Sequence, residues 1–458
     1  MNASPEEDLP GPRTRLSLAF ILAVSLMIVS GWNAVAGNAV WQTDHSAFEE
    51  TPPFDPEGDI DDYTLFALKN NPGLNAAFYS WKAELARASE VSWLPDPVLT
   101  FGYFIESIET RVGPQVYRIG IRQSFPWFGT LGAKKEVALE SAGASWQSFM
   151  SERSRIVLGV RSAYIDYYVA GIRKEIIKEE MALLEGYESV VMAGYKSGRL
   201  AYGDLIRVQV ELAGLEERVA SLGDRKDTAG ARLGAVLGLP DSTDFPVPDG
   251  LPEFDPVPEW EELKNNVIEN NPGLRAVEHL VGRDLAAERV ARKSYWPDMT
   301  IGFDYIETDE AVDPMMIDSG KDPWGVNLSI SLPVWFGRSS AMVRRASASA
   351  EMNRYRKRDK ENKIIAAART AFNSWRENAR KEVLFRNGLV PRTEQLLEAA
   401  YSAYEAGNAD FIDVIVSQRQ LLDYRLKLID AAATKAKKIA ELEYLSGSDG
   451  PGDGIIRR

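Results

Sequence analysis

A five-residue phrase occurs twice in this chain: Asn70-Asn71-Pro72-Gly73-Leu74 returns as Asn270-Asn271-Pro272-Gly273-Leu274. Further echoes follow in the same order. Pro95-Asp96 matches Pro297-Asp298, and Thr100-Phe101-Gly102-Tyr103 matches Thr300-Ile301-Gly302-Phe303. Phe125-Pro126-Trp127-Phe128-Gly129 matches Leu332-Pro333-Val334-Trp335-Phe336-Gly337. Tyr195-Lys196-Ser197-Gly198, with Asp204 downstream, matches Tyr404-Glu405-Ala406-Gly407, with Asp413 downstream. The offset between copies drifts only from 200 to 209 residues. One shared pentapeptide is compatible with chance, but an ordered series is a duplication. The unit to explain is therefore one half of about 200 residues, used twice.

Within a half, the hydrophobic period changes along the chain. Residues 59–92 carry Leu65, Leu68, Leu74, Phe78, Trp81 and Leu85 at helical spacing, with Asn-Pro-Gly expected to kink or interrupt the helix. The period then becomes two. Strands are expected over about 98–106 and 116–124, flanking a turn at Arg111-Val112-Gly113-Pro114. In the second half they fall over about 298–307 and 324–332, around a strongly acidic loop from Glu307 to Pro323. Leu99, Phe101, Ile119, Ile121, Ile301, Phe303, Val326 and Leu328 share the apolar faces, while the opposite faces are polar and small.

A proline-free stretch follows from Gly129 to Leu239. Ile156, Val160, Ala163, Tyr167, Ala170, Ile177, Met181, Leu184, Val191 and Tyr195 form a coiled-coil seam in it. A helix from Gly129 to Ser197 spans about 100 Å at 1.5 Å per residue. After Ser197-Gly198-Arg199 a second helix returns through 205–237. The second half repeats this over 338–406 and 410–445, with Gly388 and Pro391 expected to kink its long helix. The expected organisation is an extended segment over 37–58, one repeat over 59–245, a second over 246–446 and a flexible tail over 447–458.

Residues 16–29 are apolar apart from Ser17 and Ser25, follow Arg13 and Arg15, and precede Ala34-Val35-Ala36. Residues 1–36 are expected to be a secretory signal peptide. The formal net charge of −14 argues against a nucleic-acid partner, which requires a basic footprint. The chain has no cysteine, which excludes disulfides, thiolate metal sites and a lipid-bearing cysteine. His45 and His279 are the only histidines and lack metal or catalytic spacing. No catalytic constellation and no cofactor motif is present, so neither an enzyme nor a bound cofactor is expected.

Each strand is long enough to cross an outer membrane when tilted. Trp127, Phe128, Trp335 and Phe336 cluster at strand ends, where aromatic rings suit the membrane interface. Four strands cannot close a barrel, and open edges are not tolerated in lipid. Several copies must therefore share one barrel: two give eight strands, three give twelve, and the long helices favour the hollow twelve-stranded form. A soluble periplasmic coiled-coil scaffold with small sheets is the alternative reading.

With these features assembled, the chain resembles the TolC-type outer-membrane efflux channels over about residues 60–446. The resemblance rests on the two tip motifs, the strand-to-helix junctions and their duplicated order. It implies a mainly α protein with transmembrane β: a homotrimer with a 12-stranded β-barrel and a long periplasmic α-barrel. It also implies a periplasmic adaptor protein and an inner-membrane pump as partners, with small organic toxins, metal cations or secreted polypeptides as cargo. Tyr404, Asp204, Asp413 and Tyr195 would then form the periplasmic gate, and Ser197, Gly198, Arg199, Gly407 and Asn408 the adaptor-docking tips. Asp204 and Asp413 also have a plainer reading as helix-start residues that satisfy free amides. Two departures are visible: Ala409 stands where some members have arginine, and Val416 where some have a further aspartate.

Overall fold

The structure is a computed structural model that describes residues 54–240, 243–252, 254, 256–313 and 315–447. The expected signal peptide, His45, nearly all of the expected extended segment and the tail after Gly447 lie outside the described residues. The described residues fall within one unit, Pro53–Arg458.

The first repeat comprises α1 (Ile60–Asn70), α2 (Pro72–Glu90), β1 (Val98–Tyr103), β2 (Glu109–Thr110), β3 (Gly113–Phe125), α3 (Thr130–Lys196) and α4 (Tyr202–Leu237). The second comprises α5 (Trp260–Asn270), α6 (Pro272–Lys293), β4 (Met299–Thr308), β5 (Trp324–Ile330), α7 (Phe336–Leu384), α8 (Val390–Glu405) and α9 (Phe411–Ser446). The repeated pentapeptide interrupts its helix rather than kinking it. Asn71 and Asn271 are extended, end one helix and cap the next, with proline at the first turn. The Asn71 carboxamide accepts from the Gly73 and Leu74 amides, and that of Asn271 from the Leu274 amide. An asparagine cap followed by proline is a strong helix start, which explains why this phrase was kept in both halves.

The main strands form one antiparallel sheet in the order β1-β3-β4-β5, so the two hairpins meet along β3 and β4. The register aligns Leu99, Ile121, Phe303 and Val326 across it. Phe101, Ile119, Tyr305 and Trp324 form the next row on the same face. Strand ends differ from expectation. β1 stops at Tyr103, although the Phe104 amide still reaches the Val116 carbonyl at 3.0 Å. The tight turn is Arg111-Val112, because Gly113 and Pro114 already pair with Thr110 and Glu109. β5 stops at Ile330, two residues short: the Ser331 amide still reaches the Asp298 carbonyl at 2.9 Å, but the Asp298 amide donates to the Ser331 hydroxyl, also at 2.9 Å, instead of to a backbone carbonyl.

α3 is continuous over 67 residues, about 100 Å at 1.5 Å per residue. The seam from Ile156 to Val191 is buried at nearly every expected position. Tyr195 is not part of the buried seam: it is exposed and packs at a tilt against Tyr202, because the helix ends at the next residue, Lys196. The second long helix is broken where Gly388 and Pro391 stand, but by a π-helical turn, Phe385–Leu389. Proline supplies no amide and crowds the preceding turn, and a widened turn relieves both. Two hydrophobic clusters lie beside the helix pairs of each repeat, one around Tyr63, Phe149 and Leu237, the other around Leu263, Phe372 and Leu445. A third joins α3, α4 and α9 toward the tips, through Leu184, Leu205 and Phe411.

Candidate channel surfaces

The two helix turns are built alike. Gly198 and Gly407 both adopt φ +75°, a conformation that costs glycine nothing. The Gly198 amide donates to the Tyr195 carbonyl and the Arg199 amide to Gly194, both at 2.9 Å. The Gly407 amide donates to Tyr404 and the Asn408 amide to Ala403, also at 2.9 Å. This paired closure of the last carbonyls is the Schellman motif. It leaves Ser197, Gly198, Arg199, Gly407 and Asn408 exposed at the turns.

Asp204 and Asp413 lie in the first turns of α4 and α9. Neither caps its helix through a side-chain bond, so the amide-satisfying reading does not hold. The bond Asp204 does make is to Arg207, at 3.2 Å. Their position still favours a negative charge, because the helix dipole is positive there. Tyr404 packs against Phe411, with ring centroids 5.2 Å apart. Burial pushes its phenol above the usual tyrosine range, and the nearby Asp204 charge adds to this. The two side chains thus feel each other electrostatically, and no direct hydrogen bond joins them within the protomer.

The sheet presents contrasting faces. Leu99, Phe101, Ile121, Ile301, Val326 and Leu328 are exposed, while Ile119 and Phe303 are half-buried beside them. The opposite face holds Thr100, Gly102, Arg118, Gly120, Arg122, Gly302, Asp304, Gly325 and Asn327. It is polar as expected but not uniformly small. Gly302 is buried, and a side chain there would collide with the Asn327 carboxamide.

At the strand-to-helix junctions, Trp127 stacks on Trp296 with centroids 4.9 Å apart, while Phe128, Trp335 and Phe336 project outward. The Trp127 amide donates to Asp298 at 2.9 Å, which ties the first junction to the second repeat's Pro-Asp motif. At the other sheet end, the acidic loop folds over the first hairpin. The Asp309 amide bonds to the Pro114 carbonyl at 2.9 Å and the Gly320 amide to the Val112 carbonyl at 2.7 Å.

Sequence reasoning missed a buried polar pair in the helical body. Gln418 of α9 donates through Nε2 to Glu180 of α3 at 2.7 Å, at the wall of a cleft of about 660 Å³. Burial pushes the Glu180 carboxyl above its ordinary range, against the lowering effects of Gln418 and Arg425. Glu180 precedes the seam residue Met181, which was the available sequence signal. His279 pairs with Glu140 at 2.8 Å, and no metal-binding cluster occurs among the described residues. No described helix is long and apolar enough to cross a membrane.

An antiparallel sheet with one broad apolar face, attached to helices of this length, is an arrangement shared with solved outer-membrane channels. The solved structures agree. The outer-membrane channel OprN matches with a TM-score of 0.71 at 19% identity, covering 86% of this chain and 91% of that one. The outer membrane protein VceC from Vibrio cholerae matches with a TM-score of 0.70 at 16% identity, covering 86% and 97% respectively. These likenesses establish the fold. Residues 263–448 match the family model of the outer membrane efflux proteins. Over 324 residues the chain is 21% identical to the cobalt-zinc-cadmium resistance protein CzcC of Cupriavidus metallidurans, covering 69% of this chain and 74% of that protein. Over these residues the chain is therefore similar to the outer membrane efflux proteins.

Proposed function

We infer that this protein is the outer-membrane channel of a tripartite efflux system. It is a passive homotrimeric conduit that receives cargo from an inner-membrane pump and a periplasmic adaptor. The observation that carries this reading is the four-stranded sheet with an exposed apolar face and two open edges, β1 and β5. Such edges are stable in lipid only when neighbouring copies pair with them. Three copies supply twelve strands, and the helices then extend on one side into the periplasm of a Gram-negative cell.

Leu99, Phe101, Ile119, Ile121, Ile301, Phe303, Val326 and Leu328 contact lipid in this arrangement. Trp127, Phe128, Trp335 and Phe336 lie at the membrane interface. The exposed turns at Gly198 and Gly407 receive the adaptor. Tyr404, Asp204, Asp413 and Tyr195 surround the periplasmic mouth, where threefold repetition turns single carboxylates into rings that favour cations. The conduit performs no bond chemistry. The likeness to a protein named for cobalt, zinc and cadmium resistance puts metal cations on the cargo panel, beside small organic toxins and polypeptides.

The reading is tested in membranes. The protein is expected to stay in the outer-membrane fraction and to run as a trimer in mild detergent until heated. Phe303→Arg is expected to cost about 2–4 kcal/mol of insertion free energy and to deplete that fraction. A parent that washes off as a monomer would instead indicate a soluble scaffold. For the mouth, Tyr404→Phe and Asp204→Ala are each expected to raise single-channel conductance in planar bilayers. Parent-like conductance in both would remove the gate assignment.

A further inference from the structure

The polar face of the sheet carries a charge arrangement of its own. Asp304 on β4 is the acid at its centre, and two arginines of β3 converge on it. The Arg118 guanidinium approaches the Asp304 Oδ1 through Nη2 at 2.8 Å and Nε at 3.1 Å. Arg122 Nη2 is 4.0 Å from the same oxygen. Asn327 of β5 donates to Oδ2 at 2.5 Å. The register explains the convergence: Gly120, between the two arginines, pairs with Asp304, and Gly302 pairs with both Arg122 and Asn327. A side chain at Gly120 would collide with the Asp304 carboxylate, so glycine there lets the acid lie against the wall.

Exposure decides what this cluster presents to solvent. The Asp304 side chain is 15% exposed, whereas those of Arg118 and Arg122 are 43% and 45% exposed. The negative charge is therefore covered and the positive charges stand out. Two guanidinium groups over one carboxylate leave one net positive charge per protomer. The other strand carboxylates do not cancel it. Glu109 lies at the hairpin tip, and Glu307 shares the face of its register partner Tyr117. Both β3 and β4 are interior strands, so the cluster is complete within one chain.

With the apolar face toward lipid, this face lines the lumen. We propose that Arg118 and Arg122, seated on Asp304, form an anion-favouring belt on the inner wall of the β-barrel. The belt is a second selectivity element, opposite in sign to the acidic periplasmic mouth. It acts on small anions and on the anionic ends of larger cargo. Threefold repetition brings six guanidinium groups around one passage, and a wall of one sign concentrates counter-ions within it. The belt biases passage without blocking it, because salt screens each charge beyond about 8 Å at physiological ionic strength. The proposal rests on the channel reading, and its test separates the two.

The chain has no cysteine, so one introduced thiol is a unique reporter. Thr100 is exposed on the polar face and pairs with Gly120, between the two arginines. Thr100→Cys is introduced into the full chain, embedded in outer membranes, and labelled with anionic and cationic methanethiosulfonates of similar size. The anionic reagent is expected to be favoured relative to a free thiol. The preference is expected to fall about threefold or more when Arg118→Gln and Arg122→Gln are added, because the local potential is removed. Asp304→Asn, tested separately in case the double change impairs assembly, is expected to raise it. A preference unchanged in either background would overturn the belt while leaving the channel reading intact. If neither aqueous reagent reaches the thiol and a lipid-soluble maleimide does, the polar face does not line a lumen, and the channel reading fails with the belt.

Discussion

The two long helices end alike, yet differ at the start and in the middle. α3 begins after Phe128-Gly129, with Gly129 in the left-handed region, whereas its counterpart already includes Phe336 and Gly337; both close on a positive-φ glycine with the same pair of amide bonds. Between these ends, α3 is one unbroken helix, while its counterpart is divided into α7, a π-helical turn and α8. With the offset of 209 residues that aligns the tips, Pro391 corresponds to Ala182 and Leu389 to Glu180. The repeats thus meet the same level of the helical body differently. One widens a turn around a proline. The other continues and buries an acid against Gln418 of α9. Duplication conserved the tips, where backbone geometry permits few residues. It left the middle free to diverge, because a coiled-coil seam accepts many.

The sharpest way to break this comparison is to transfer the interruption. Ala182 is exposed, so Ala182→Pro removes little packing but inserts a proline into an unwidened helix. It is expected to cost about 3 kcal/mol and lower the thermal midpoint followed by helical circular dichroism. An unchanged midpoint would mean that α3 accommodates a break as readily as its counterpart, and that continuity is not what distinguishes the repeats.

The tips provide the opposite comparison, in which equality is expected. A Cβ at Gly198 or Gly407 would meet no other group, so Gly→Ala there tests the backbone alone. Each substitution is expected to cost about 1–2 kcal/mol, through the left-handed conformation forced on alanine. The two values should agree closely. A large difference in unfolding midpoints between the two variants would show that the tips are not energetically equivalent.

The smallest expected effect concerns Glu180 and depends on pH. Its folded carboxyl binds a proton more tightly than the unfolded one does, because burial disfavours the charge. Its favourable contribution is therefore complete below the ordinary carboxylate pKa and is lost as pH rises through the raised folded value. Glu180→Gln keeps the shape without the charge. It is expected to stabilise the protein by about 1 kcal/mol near pH 8, with the gain shrinking toward acidic pH. Urea unfolding across pH checks this, and a gain independent of pH would assign the effect to packing.

Much of this fold was legible in order because its signals are local. The period of two, the period of three to four and the Asn-Pro cap each act over a few residues. The glycine turns were readable for the same reason: positive φ is a one-residue requirement that few other side chains meet. The residues expected at the tips stand exposed at the turns, since a Schellman turn exposes whatever stands beside its glycine. The contacts of Asp204 and Tyr404 were less accessible. Sequence showed that both stand near a break, but not that Asp204 bonds Arg207 while Tyr404 rests on Phe411.

By itself, then, the sequence determined the duplication, the alternation of strand faces and the places where helices begin and turn. Tertiary structure alone decided which partners meet across the halves. Arg118 and Asp304 are far apart in the chain, and so are Glu180 and Gln418. Their pairing depends on strand register and helix packing, where a shift of one residue brings a different neighbour into reach. Whether a visible charge is covered or presented followed from that packing. It buried Glu180, covered most of Asp304 and left Arg118 and Arg122 facing solvent.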